Sequence, residues 1–179
     1  IQLSPDDPYA HYQLGMIYRE LGETSLALME IQRATILHPT DSYGHSKLGQ
    51  LYQQTRQYEH AVSSYSQALS LKPGDPFVLE RLAEVLAAKE LYEKSAELFQ
   101  EALARQFHPS VATMISFGKV LRKLENFEEL EKITNEVLRL EPANHEAGFL
   151  KAMAMLKRGR TIEALGLLEK LVENPAVSY

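Results

Sequence analysis

The sequence predicts an all-α fold made of about five consecutive helix–turn–helix repeats. Small residues recur along the chain at intervals of 34, 34, 35 and 34 residues, and two further sets of positions keep the same intervals. An internal period of this length is typical of stacked helical repeats. The three sets are Gly15, Gly49, Ala83, Gly118 and Ala152; Ala27, Ala61, Ser95, Leu130 and Ala164; and Ala34, Ala68, Ala102, Val137 and Leu171.

Residues that favour helix starts and stops follow the same period. Each repeat begins after a strong N-cap residue. In four repeats a proline stands two residues before that cap, where it cannot continue the preceding helix. The caps are Asp7, Asp41, Asp75, Ser110 and Asn144, and the prolines are Pro5, Pro39, Pro73 and Pro142. A weaker helix-breaking signal lies midway through each repeat, at Gly22, Arg56, Glu90, Glu125 and Gly159. Such a break predicts a short turn between two antiparallel helices.

These signals predict the bounds of ten helices. The predicted first helices of the units cover 8–21, 42–55, 76–89, 111–124 and 145–158. The predicted second helices cover 24–37, 58–71, 92–106, 127–140 and 161–172.

The same positions resemble a known family. A helical repeat with ladders of small residues, tyrosines and terminal prolines is similar to the tetratricopeptide repeat (TPR) over essentially the whole chain, and the second repeat is the clearest copy. It carries Leu48, Gly49, Tyr52, Tyr58, Ala61, Tyr65, Ala68 and Pro73 at the family's positions. The resemblance implies a right-handed α–α superhelix, one solenoid domain with repeats at 8–41, 42–75, 76–110, 111–144 and 145–178.

The two ends of the chain depart from this pattern. Residues 1–7 read as the tail of a preceding repeat, as expected of a piece of a longer array. The fifth repeat is degenerate, since Gly148 is expected to leave space and Lys151 replaces an expected leucine. We therefore expect it to be the least stable unit.

Composition excludes several classes of function. The net charge of −5 has the wrong sign for binding a phosphate backbone, so nucleic acid is not an expected partner. The absence of cysteine removes disulfides and zinc–thiolate sites but leaves the compartment open between cytoplasm and periplasm. The longest apolar runs are far shorter than the ~20 residues of a membrane span.

No motif of the sequence predicts catalysis, a cofactor or a metal. The six histidines lack the His-x-x-x-His spacing of a metal site, and there is no phosphate-binding loop and no nucleophile elbow. Of the histidines, His11 and His45 are read as packing residues, and His38, His60, His108 and His145 as solvated. The carboxylate pair Glu80 and Glu84 is read as a solvated helix face rather than an acid–base pair. The sequence therefore predicts no enzyme.

The resemblance implies a concave groove lined by the first helices. The lining residues it implies are Tyr9, Tyr12, Gln13, Met16, Tyr43, Lys47, Gln50, Phe77, Glu80, Arg81, Glu84, Lys119, Arg122 and Lys123. The aromatic members are read either as packing between neighbouring first helices or as anchors for an inserted peptide. The basic members of the fourth repeat have no acid beside them in this interpretation. Phe149, Leu150 and Met153 are expected to meet a following repeat or a second copy of the chain.

These observations favour a protein–protein interaction scaffold that binds a peptide segment or helix of a partner in a multi-subunit assembly. The alternative is a regulatory or substrate-docking arm of a larger enzyme. An RNA-reading helical array has similar helix lengths, but it conflicts with the acidic charge and the near-constant period of 34. The TPR clamp for acidic chaperone tails lacks its donors at Tyr12, Met16 and Phe77.

Overall fold

The computed structural model describes residues 6–106 and 109–173 of the chain, and these residues form ten α-helices and no strand. The helices are α1 Pro8–Glu20, α2 Thr24–Leu37, α3 Ser42–Gln54, α4 Tyr58–Leu71, α5 Pro76–Ala88, α6 Tyr92–Ala104, α7 Val111–Lys123, α8 Phe127–Leu140, α9 His145–Lys157 and α10 Thr161–Glu173. They agree with the predicted bounds to within two residues. The predicted all-α class is confirmed. Residues 1–5, 107–108 and 174–179 lie outside the described residues, so the predictions for Pro5, for His108 and for the two ends of the chain are not examined by this structure.

Every first helix begins at the predicted cap. Asp7, Asp41 and Asp75 each accept the backbone N–H of the second helical residue, and Ser110 and Asn144 accept that of the third. These bonds satisfy backbone donors that a helix start leaves without a partner. The predicted cap ladder is therefore confirmed.

The turn between the two helices of each repeat has the same conformation in all five repeats. The residues at the predicted breaks all have positive φ, namely Gly22 (80°), Arg56 (58°), Glu90 (61°), Glu125 (56°) and Gly159 (79°). Around the first of these, the Gly22 N–H donates to the Arg19 carbonyl at 3.1 Å and the Glu23 N–H to the Tyr18 carbonyl at 2.8 Å. This pair of bonds is the Schellman motif, which ends a helix in the left-handed conformation.

The chain divides into two compact units between Glu90 and Leu91. Unit 1 contains α1 to α5, and its core has large side chains from the second helices packed against glycines of the first helices. A Cβ added at Gly15 would lie 2.6 Å from Ile31, and one at Gly49 would lie 2.8 Å from the Tyr65 ring. At these two positions of the small-residue ladder, a side chain of the second helix thus packs directly against the backbone of the first.

Unit 2 contains α6 to α10, and its core is aromatic at one end and aliphatic at the other. The Phe99 and Phe117 ring centroids are 5.9 Å apart, whereas Met114 and Val137 belong to an aliphatic cluster farther along. A Cβ added at Gly148 would lie 2.6 Å from Leu171, so the expectation that this glycine leaves space is wrong. Leu171 fills that space.

A buried acid connects three helices of unit 2. Glu131 on α8 is only 7% exposed and pairs with both Arg158 and Arg160, which flank the turn between α9 and α10. Arg160 also pairs with Glu163 at 2.7 Å. A buried carboxylate requires such partners because its charge has lost water.

In the described ranges, each helix is too short or too polar to cross a membrane.

Candidate functional site

The predicted lining residues of unit 1 form a continuous band across its first helices. Tyr12 of α1 and Tyr43 of α3 have ring centroids 5.5 Å apart, and Lys47 lies 5.0 Å from the Tyr43 centroid. Lys47 is also 6.0 Å from the Phe77 ring of α5, over which the Arg81 guanidinium lies at 5.5 Å. Cations at these distances are attracted by the negative face of the ring. We call Tyr12, Tyr43, Lys47, Phe77 and Arg81 the unit 1 band.

The band ends in acids that are largely withdrawn from solvent. Arg81 pairs with Glu84 at 2.8 Å and with Glu80 at 2.5 Å. Glu84 also accepts from Gln53 at 3.1 Å, and burial raises the pKa of its carboxyl. Glu80 is only 9% exposed, so the interpretation of this pair as a solvated face is wrong.

Several aromatic side chains next to the band are open to solvent. Tyr9 is 68% exposed, Tyr43 57% and Phe77 44%. Gln13 is also exposed, whereas Met16 and Gln50 are half-buried, and Gln50 accepts from Lys47 at 3.3 Å. These rings keep about half or more of their surface in solvent, so packing between neighbouring first helices covers them only in part.

A cleft lies where the first turns of α1 and α3 meet the end of α2. We call it cleft A, and its volume is about 340 Å³. Its lining includes Tyr9, Tyr12, His38, Asp41 and Tyr43. The Tyr12 hydroxyl is buried next to the Tyr43 side chain, and it makes no well-aligned hydrogen bond in the part of the chain described. Burial raises the pKa of Tyr12, and the neighbouring Tyr43 and Asp41 raise it further.

Cleft A contains two residues that the sequence interpretation missed as site residues. Asp41 was predicted only as a helix cap, and His38 only as a solvated side chain. Their spacing contained a signal, because the position of His38 holds Lys72 one repeat later and that of Asp41 holds Asp75. The signal identifies a site only when the structure shows that His38 and Asp41 line the same cleft.

The predicted basic surface of unit 2 is partly neutralised. Lys119 pairs with Glu146 at 2.7 Å, so the expectation that no acid lies beside these cations is wrong. Lys123 lies 5.9 Å from the centroid of the Tyr92 ring, and Arg122 is exposed. Glu146 was missed because it belongs to α9, the next first helix along the chain.

The predicted C-terminal contact face is only partly exposed. Phe149 is 54% exposed and Met153 half-buried, but Leu150 is 3% exposed, so its assignment to an exposed face is wrong. A Cβ added at Gly118 would lie 3.5 Å from Leu150, which places this leucine against α7. Ile162 at 87% and Leu165 at 52% are exposed apolar side chains of α10 that the sequence interpretation did not include. Self-association through this region stays a prediction.

Three histidines of the described segments take part in separate contacts. His11 Nδ1 lies 2.6 Å from Glu30 Oε2, His45 Nε2 lies 3.0 Å from the Pro39 carbonyl, and His60 stacks on Tyr52 with centroids 5.0 Å apart. No group of three metal-ligating side chains occurs among the residues the structure describes.

Comparison with known structures shows the same fold. The crystal structure of MamA aligns over 93% of this chain and 90% of its own, with 15% identity and a TM-score of 0.85. A MamA fragment from Desulfovibrio magneticus RS-1 covers 96% of both chains with 15% identity and a TM-score of 0.87. YrrB, described as a TPR protein with an unusual peptide-binding site, covers 96% of this chain and 89% of its own with 17% identity and a TM-score of 0.85.

Family comparison covers most of the sequence. No curated protein matches the chain. Residues 8–39 match the family described as Tetratricopeptide repeat, and residues 45–168 match the one described as "Tetratricopeptide repeat protein 21 forth ARM domain". The second match spans more than half of the chain and covers part of each unit. The chain therefore belongs to the tetratricopeptide-repeat proteins, in the family of the Tetratricopeptide repeat protein 21 ARM domain.

Proposed function

We propose that this chain is a protein-interaction scaffold in a multi-subunit assembly, and that the first helices of unit 1 bind a peptide segment or helix of a partner. The observation that carries the proposal is the unit 1 band, with solvent-exposed aromatic rings beside it. Large rings bury much area at small entropic cost, so they are common anchors of protein interfaces. TPR membership supports the same class of function.

The chemistry of the band determines which ligand suits it. Tyr9, Tyr43 and Phe77 offer exposed rings to apolar side chains. Lys47 and Arg81 offer donors, but Arg81 is already paired with two glutamates. An apolar segment would therefore gain its affinity from burial, and the charged groups would select among partners.

Unit 2 is a weaker candidate for the same role. Its first helices place Ala112 and Glu146 at the positions that Tyr43 and Phe77 occupy in unit 1. Neither side chain can serve as an aromatic anchor. We propose that Lys119, Arg122 and Lys123 contribute to selectivity and to the rate of association rather than to burial.

The test begins with a peptide selected from a random library displayed on phage against the 179-residue chain. Affinity is then measured by calorimetry for the wild type and for the double variant Tyr9→Ala, Tyr43→Ala. Both side chains are more than half exposed, so the variant should fold normally. We expect a loss of more than ~2 kcal/mol of binding free energy if these rings are anchors.

The matched control is the double variant Met29→Ala, Ile36→Ala. These side chains are 54% and 74% exposed on α2 of the same unit, outside the band. The control should bind the selected peptide like the wild type. If both double variants bind normally while folded, the first helices of unit 1 are not the binding surface.

A further inference from the structure

Cleft A has counterparts at the same repeat positions elsewhere in the chain. One, which we call cleft B, has a volume of about 420 Å³ and lies in unit 1 between the first turns of α3 and α5. Another, cleft C, has a volume of about 410 Å³ and lies in unit 2 between the first turns of α7 and α9. The repeat period relates the three sets of lining residues, so the clefts can be compared position by position.

In clefts B and C the cap residue at the start of the later helix has a side-chain partner within the cleft. In cleft B, Lys72 pairs with the cap residue Asp75 at 2.8 Å. In cleft C, the cap residue Asn144 is neutral and donates to Glu141 at 2.8 Å. Lys119 of cleft C also pairs with Glu146 at 2.7 Å. At its own cap position neither cleft has an acid without an ionic partner, although Asp41 and Tyr43 of cleft A also line cleft B.

Cleft A differs at each of these positions. His38 replaces the lysine, and the cap residue Asp41 has no ion-pair partner within the described ranges. Asp41 accepts the N–H groups of Tyr43 and Gly44 at 3.0 Å each, which leaves part of its acceptor capacity unused. Tyr12 takes the place of Ser46 and Ile115, and its buried hydroxyl, next to Tyr43, makes no well-aligned hydrogen bond among the described residues. An unpaired buried hydroxyl is costly unless a ligand satisfies it.

We propose that cleft A binds the guanidinium group of an arginine side chain supplied by a partner protein. Its N–H groups would donate to the Asp41 carboxylate and the Tyr12 hydroxyl oxygen. Its planar face would lie on the exposed Tyr9 ring, as Arg81 lies over Phe77 within the same unit. Cleft B shows that the chain itself places a cation at the equivalent carboxylate.

Arginine suits this cleft better than lysine. Two acceptors of different origin, a carboxylate and a hydroxyl, match a forked donor more closely than a single ammonium group. The volume is more than a few water molecules require, so a long side chain can enter. This inference rests on the proposed binding function of unit 1, because the cleft opens beside the same aromatic rings.

The test uses small probes, so that it does not depend on finding the partner. Backbone amide shifts of the isotope-labelled chain are followed by NMR during titration with N-acetyl-arginine methylamide. The neutral isostere N-acetyl-citrulline methylamide is the matched probe. We expect saturable shifts at Gln13, Tyr43 and Gly44 with the arginine probe, and affinity about fivefold or more weaker with the citrulline probe.

Two variants connect the binding to the cleft. Asp41→Asn removes the charge but keeps a capping side chain, as Asn144 does in unit 2. It should weaken binding of the arginine probe about fivefold, and Tyr12→Phe should weaken it by a smaller factor. Asp75→Asn, the equivalent change in cleft B, should leave unchanged the shifts that the arginine probe causes at Gln13 and Gly44, which line cleft A but not cleft B.

Equal shifts from the arginine and citrulline probes, or unaltered binding by Asp41→Asn, would overturn the assignment. Thermal unfolding of each variant shows whether it is folded. The phage-selected peptide distinguishes the two proposals. If it still needs Tyr9 and Tyr43 while the arginine probe does not bind, the arginine site fails and the peptide-binding surface stands.

Discussion

The two units occupy the same repeat positions with side chains of different chemistry. Position by position, unit 1 has Val62 where unit 2 has the buried Glu131, and Tyr65 where unit 2 has Thr134. The aromatic and aliphatic side chains of the second repeat are thus replaced by ion pairs and a hydroxyl bond in the fourth, whereas the third repeat keeps Ala96 and the aromatic Phe99 at these positions. The comparison teaches that the period fixes where the helices and turns lie, but neither which interaction a position makes nor how deeply it is buried.

The exposed positions differ in the same way. Tyr9, Tyr43 and Phe77 succeed one another in unit 1, and the corresponding positions of unit 2 hold Ala112 and Glu146. A repeat protein can change its exposed side chains without changing its core, because each repeat packs mainly on its neighbours. This is why the proposed aromatic anchors are confined to unit 1.

The largest expected effect tests whether unit 2 depends on its buried acid. Glu131→Ala should lower the free energy of unfolding by about 2 to 3 kcal/mol, because Arg158 and Arg160 lose their shared acceptor and a void remains. Chemical denaturation followed by circular dichroism measures the change. Val62→Ala at the equivalent half-buried position should cost less. Equal losses would mean that the ion pairs contribute no more than the aliphatic contacts.

The next effect separates the glycines of the small-residue ladder. Gly49→Ala should destabilise the protein by about 1 to 2 kcal/mol, because its Cβ would lie 2.8 Å from the Tyr65 ring. Gly118→Ala should be neutral or stabilising, since the nearest side-chain atom is 3.3 Å away on Leu130 and alanine favours the helix by about 1 kcal/mol. Thermal unfolding of the two variants measures both changes in stability. A larger loss at Gly118 would contradict this assignment.

A smaller effect concerns the buried hydroxyl of unit 1. The Tyr65 hydroxyl donates to Gln53 Oε1 at 2.8 Å, so Tyr65→Phe should cost about 1 kcal/mol. At the equivalent position of the fourth repeat, the Thr134 hydroxyl donates to the Leu130 carbonyl at 2.7 Å within its own helix. Thr134→Val should therefore cost less. Urea unfolding at neutral pH measures both.

The same tyrosine gives the stability a pH dependence. Burial raises the pKa of Tyr65, so the folded state holds the phenolic proton more tightly than the unfolded chain does. This contribution is fully present below the unfolded pKa of about 10 and is lost as the pH rises above it. Tyr65→Phe should show a shallower loss of stability above pH ~10 than the wild type. Parallel curves would contradict burial as the cause.

The smallest expected effect tests what the two units have in common. Arg56 in unit 1 and Glu125 in unit 2 have φ of 58° and 56°, a conformation that glycine adopts without steric cost. Arg56→Gly and Glu125→Gly should each stabilise the protein by up to about 0.5 kcal/mol, because the relief exceeds the added entropy of the unfolded chain. Melting temperatures measure the gain. Destabilisation by either change would show that the side chain, not the backbone, decides the turn.

The sequence alone determined the helices and their turns. The caps at Asp41 and Asn144 and the breaks at Arg56 and Glu125 lie where the period predicts them, because capping and turn conformation depend on residues within a few positions. The identity of the family followed from the same local signals. Of the candidate site, the sequence predicted the exposed rings Tyr9 and Tyr43 but left open whether they pack or bind.

Only the tertiary structure decided which side chains face each other. Leu150 is buried against α7, Glu146 neutralises Lys119, and Leu171 fills the space beside Gly148, and in each case the partner comes from another helix. Local pattern gives the direction of a side chain from its own helix axis, but burial and pairing depend on what the neighbouring helix places there. Cleft A belongs to this second class, since His38, Asp41 and Tyr12 meet only when α1, α2 and α3 pack together.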